Sequence, residues 1–201
     1  MEEKKSFEEE VKDLLAKPGN VKGEAFKSHQ SFIISKVGEE GFKKVEEKLS
    51  EIGHPIDFKN IEPYKMYSAP LAILVILVAK EIFNWDDEVI KESGKFNLKN
   101  SFILKTFLRY FVSPESFPIF LPKYWKKEYD FGSIDVVKTE NKNELVAKVK
   151  DYDLHPLNCT AFIGVGEEAL KYVTRSRKII STETKCIHRG DEYHEYIIHW
   201  I

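Results

Sequence analysis

Two cysteines and six histidines are the side chains here that could ligate a soft metal ion or act as nucleophiles. Cys186 and His194 flank the triplet Arg189-Gly190-Asp191. If that triplet is a three-residue turn with Gly190 in the left-handed region, Cys186 lies opposite His194 on an antiparallel hairpin. Thiolate and imidazole together form a borderline-soft metal site. Two thiolates and one imidazole leave a tetrahedral position open. His188 is a candidate for that position, although its place at the turn favours exposure to solvent. The same side chains also suit an ordinary core, because free cysteine is often buried and one backbone hydrogen bond satisfies a histidine.

These residues need strands and a helix to position them. Alternation along the terminal hairpin, with a three-residue turn, puts Ile180, Thr182, Thr184 and Cys186 on one face with His194, Tyr196, Ile198 and Trp200. Glu183, Lys185 and Glu195 then face solvent. Cys159 stands near the start of a helix expected over residues 156–173, in which Gly164 and Gly166 allow close packing on the sheet. Residues 134–137 and 145–149 read as an earlier pair of strands.

Upstream the period is helical. Ser6 and Glu9 form a capping-box pattern for a helix ending near residue 16, before the break Lys17-Pro18-Gly19-Asn20. Helices follow over 23–36 and from Gly38 to Gly53. Pro70 suits the first turn of a helix that is apolar on every side through Ala79. Asp86 and Asp87 start another, ending near Gly94, and residues 96–112 carry a further stripe. Pro114, Pro118 and Pro122 punctuate an aromatic stretch. The order helices, hairpin, helix, hairpin predicts an α+β fold: an N-terminal helical bundle packed on a C-terminal antiparallel sheet with one intervening helix.

Composition narrows the function. Thirty-one basic and 33 acidic side chains leave a net charge of -2, which removes the electrostatic case for nucleic acid. Two cysteines make no disulfide framework, and Met1 is followed by Glu2, Glu3, Lys4 and Lys5, so a cytoplasmic protein is expected. The longest apolar run, residues 69–79, is far short of the roughly 20 residues that span a membrane. No nucleophile elbow, Walker motif or zincin motif occurs, so no enzyme is expected. Aromatic residues reach 13%. Leu74, Phe102, Phe107, Phe111 and Phe117 are the candidates to line an apolar ligand cavity, with a dimer interface as the alternative use of the same helices.

Two stretches resemble a known superfamily. Cys159-x4-Gly164-x-Gly166, followed by Glu183-Thr184-Lys185-Cys186-Ile187-His188-Arg189-Gly190-Asp191-Glu192-Tyr193-His194-Glu195-Tyr196, resembles the C-terminus of 4-vinyl-reductase-type domains. Those share a fold with TRAPP transport-complex subunits and with haem nitric-oxide-binding sensors. Val21-Lys22-Gly23-Glu24-Ala25-Phe26, ending in Val37-Gly38-Glu39-Glu40, resembles the opening of the last group. The resemblance implies a ligand-binding sensory module over 21–201, with 1–20 as a helical appendage and linker. It implies a small hydrophobic or tetrapyrrole-like ligand, and a signalling partner or homodimer surface; a structural adaptor without ligand is the alternative. It also brings Cys159 to Cys186 and His194 as a metal set, His194 standing where the pattern tends to have cysteine. Haem ranks behind zinc or another metal. The sensors carry their proximal histidine on a mid-chain helix, and their Tyr-x-Ser-x-Arg motif finds only the out-of-register Tyr172-Val173-Thr174-Arg175-Ser176-Arg177. His29 remains the haem-ligand candidate.

Overall fold

The computed structural model describes residues 5–100, 113–141, 143–174 and 176–201. The chain divides into two units, Met1–Asp86 and Asp87–Ile201. In the first, the capping box forms: the Glu9 N–H donates to Ser6 Oγ and the Ser6 N–H to the Glu9 carboxylate, starting α1 (Phe7–Leu15). Val11 and Leu14 are the buried stripe of α1, which packs on α3. The two helices expected between residues 23 and 53 form α2 (Glu24–Glu51), whose two halves meet at Gly38, where φ 74° and ψ 176° are not helical.

α3 (Ala69–Phe83) starts at Ser68, whose hydroxyl accepts from the Leu71 N–H, with Pro70 in the first turn. Ala72 to Ala79 are buried without interruption, because α1, α2 and a small two-stranded sheet all pack on this helix. That sheet pairs β1 (Asn20–Lys22) antiparallel with β2 (Met66–Ser68), and alternation over three residues was too short to reveal it. Among the described residues no helix is long and apolar enough to cross a membrane.

The second unit opens with α4 (Asp87–Asn100), which runs past the expected stop at Gly94. Gly94 serves a close approach instead. A Cβ there would lie 2.0 Å from the Ala161 carbonyl oxygen, and one at Gly164 would lie 2.0 Å from that of Lys91. The expected packing of Gly164 on the sheet is therefore corrected: Gly164 meets α4, and only Gly166 faces the sheet, at Ile198. Lys91 and Lys95 reach the largely buried Glu167 at 2.7 Å each, tying α4 to α6 (Leu157–Lys171).

The proline-punctuated aromatic stretch contains α5 (Phe117–Glu128), with Pro118 in its first turn. β3 (Ser133–Lys138), β4 (Glu144–Lys150), β5 (Ile179–Lys185) and β6 (His194–Trp200) form one antiparallel sheet in the order β3-β4-β6-β5. The fold is α+β, with helices, hairpin, helix and hairpin in the expected order.

Candidate functional site

β6 alternates as expected, burying His194, Tyr196, Ile198 and Trp200. β5 does not. Glu183 pairs with Tyr196 and Lys185 with Glu195, so Thr184 is an extra residue in a β-bulge. N-terminal to the bulge the faces are exchanged relative to the expectation. Ile180, Thr182 and Thr184 are exposed, whereas Ile179 and Ser181 are buried and the Glu183 side chain, 8% exposed, turns inward. Beyond the bulge Lys185 meets Glu195 in the expected register, but the three-residue turn at 189–191 is not formed: β5 ends at Lys185, and a 3-10 helix over Ile187–Arg189 leads into the loop before β6. Gly190 is left-handed at φ 93°, the Cys186 carbonyl accepts from the Arg189 and Asp191 N–H groups, and Cys186 comes round to His194.

Cys159 sits in the first turn of α6, which packs across β5 and β6. Its Sγ lies 3.5 Å from Cys186 Sγ and 3.6 Å from His194 Nδ1. Glu183 Oε1 lies 3.3 Å from the same nitrogen. One ligand atom from each of Cys159, Glu183, Cys186 and His194 can be chosen so that all four lie within 4.8 Å of one another. The structure thus brings together the three residues expected to meet, and adds Glu183.

Neighbouring groups hold this arrangement. His194 Nε2 lies 3.0 Å from the Tyr152 carbonyl oxygen. A carbonyl only accepts, so Nε2 carries a proton and donates it there, and Nδ1 faces the cluster. The Tyr152 ring is buried against Phe131, Trp125, Tyr129 and Phe162, and its hydroxyl accepts from the Asn158 amide, fixing the backbone that orients His194. Arg189 donates to Glu183 Oε2 at 2.9 Å and the Tyr196 hydroxyl to Oε1 at 3.2 Å. Burial pushes the Cys159 thiol well up, and the charges of Glu183 and Cys186 push the same way.

The remaining candidates lie elsewhere. His188 Nδ1 pairs with Asp153 at 3.4 Å, and its ring stands 5.5 Å from that of His194, outside the four-residue set. Leu74 is fully buried in α3, and Phe117 is buried at the start of α5. Phe102, Phe107 and Phe111 lie outside the described residues. His29 is buried in α2, with Nδ1 on the Ala72 carbonyl at 2.9 Å, and burial lowers its pKa to about 4.

No family model matches the sequence, and no curated protein does. Solved structures do match. An H-NOX protein from S. oneidensis in the Fe(II)NO ligation state superposes with a TM-score of 0.66 at 17% identity, over 90% of this chain and 99% of that one. The chain has an H-NOX-like fold. An unliganded Fe(II) H-NOX mutant from K. algicida gives 0.65 at 13% identity, over 90% and 96% of the two chains. An oxygen-binding H-NOX domain related to soluble guanylate cyclases gives 0.62 at 16%, over 89% and 94%.

This likeness overturns the ranking of zinc or another metal ahead of haem, since the H-NOX structures of like fold are in Fe(II) ligation states. Fit to a haem is decided by donor chemistry. No histidine stands between residues 55 and 154, so α3, α4 and α5 bring none. His29 meets the requirement: Nδ1–H is spent on a backbone carbonyl, Nε2 is left as the lone-pair nitrogen, and the depressed pKa keeps the ring neutral. The residues present fit a haem at that one donor.

Proposed function

We propose that this chain is a cytoplasmic ligand-binding sensory domain that takes a small hydrophobic or tetrapyrrole-like ligand and signals through a partner surface. The observation that supports the reading is the H-NOX-like fold over nine-tenths of the chain. The structures of like fold are described by ligation states and bound gas, not by a reaction, so a sensor is proposed and not a catalyst. Haem is the first ligand to try. His29 would hold its iron through Nε2, and the iron would supply the site that binds a diatomic gas.

Adding haem to the purified chain tests this. The expected result is one haem per chain with a Soret band that shifts on reduction and on exposure to nitric oxide. His29→Ala should change the band and weaken binding. A haem that elutes free of the protein, together with native mass spectra showing no co-purified small molecule, would remove the reading.

A further inference from the structure

We propose that α1 is a docking surface for a second copy of this chain, the two α1 helices packing antiparallel about a two-fold axis. The proposal is independent of haem and of the cysteine cluster. α1 lies ahead of Val21, where the resemblance to the sensors begins. It buries Leu14 within its own unit, whereas Phe7 and Leu15, on the stripe they share with Val11, stay half-buried. Phe7, Val11 and Leu15 recur every four residues and so line one side of the helix. That side borders an open groove of about 600 Å³, whose far wall includes Ile52, just beyond α2.

Charge selects the occupant. Glu8 and Lys12, each one position along from the apolar stripe, border the same groove and are exposed. Neither has an ion-pair partner among the described residues, and Asp13, the acid beside Lys12, is taken by Lys5. A partner of one uniform charge meets like charge at Glu8 or at Lys12. A second α1 running the other way satisfies both. With the helices crossing near Val11, Phe7 packs against the partner's Leu15, and Glu8 comes within reach of the partner's Lys12. Each contact occurs twice, so the surface complements itself. A parallel pair sets Glu8 against Glu8 and Lys12 against Lys12, which opposes that arrangement. One nine-residue helix from each copy is a small interface, so the dimer is a weak one.

Sedimentation equilibrium of the reduced, haem-free full chain is the test. The wild type should associate reversibly to a dimer below about 1 mM, and less strongly as salt is raised. Glu8→Lys and Lys12→Glu should each weaken the dimer by about fivefold or more, because each turns two ion pairs into two repulsions. The two substitutions together should restore it, and so should an equimolar mixture of the two single variants. A wild-type chain that stays monomeric up to about 1 mM would overturn the proposal. So would a dimer indifferent to either substitution, or a double variant as weak as the single ones. The first outcome is read on the wild type, and restoration in the double variant separates lost pairing from a damaged helix.

Discussion

Glu183 Oε1 lies 3.3 Å from His194 Nδ1 because one extra residue, Thr184, interrupts the alternation of β5. Without the bulge, regular alternation back from Cys186 puts Glu183 in solvent and Thr182 in the core. The cluster is therefore a property of the register, set where β5 meets the terminal turn.

The bulge makes a paired prediction. Removing Thr184 makes the strand regular, with Glu183 still opposite Tyr196 and Lys185 opposite Glu195, so its deletion should cost only about 1 kcal/mol. Removing Thr182 forces Ile179 and Ser181 to the wrong face and should cost several-fold more. Chemical denaturation of the two deletion variants checks the order.

α4 and α6 touch through their backbones at Gly94 and Gly164, where a Cβ meets a carbonyl oxygen at 2.0 Å. Gly164→Ala should separate these helices and destabilise the protein by about 3 kcal/mol, the upper end of overpacking costs. Gly53, where a Cβ would meet nothing within 4 Å but φ is 82°, offers a contrast: Gly53→Ala should cost only about 1 kcal/mol, from backbone strain alone. Equilibrium unfolding of the two variants distinguishes crowding from strain.

His29 links stability to acid. Its pKa is about 4 folded against 6.5 for the free side chain. Between those values the unfolded chain binds a proton that the folded chain refuses, so stability falls as pH drops from 6.5 to 4. The loss is about 3 kcal/mol at most. His29→Gln has no such titration, so the difference in unfolding free energy between the two proteins should change by that amount across the window and stay level above pH 7.

Residues 1–17 should be removable without loss of the fold, the boundary proposed from Lys17-Pro18-Gly19. α1 buries Val11 and Leu14 on its inner side. The truncated protein should therefore retain its far-ultraviolet circular dichroism but melt several degrees lower, having lost about 2–4 kcal/mol of apolar burial. A chain that is unfolded at room temperature would place the boundary elsewhere.

The sequence by itself determined much of the local structure, because local structure depends on neighbours along the chain. Ser6 and Glu9 specify a helix start through two reciprocal hydrogen bonds, Gly190 specifies the terminal turn, and the apolar run to Ala79 demands burial on all sides. The approach of Cys186 to His194 was legible from the register, although a 3-10 helix over Ile187–Arg189, and not a three-residue turn at 189–191, connects the strands. Tertiary structure decided what depends on elements distant in sequence. The crossing of α6 over the sheet delivers Cys159, and the Tyr152 carbonyl, a group every residue type carries, orients the His194 ring. Gly164 reads equally as a partner for a sheet or for a helix until α4 is in place. Glu183 was hidden for a related reason. A bulge changes the face of every residue before it, and the Glu183-Thr184-Lys185 string carries no side-chain pattern that marks one.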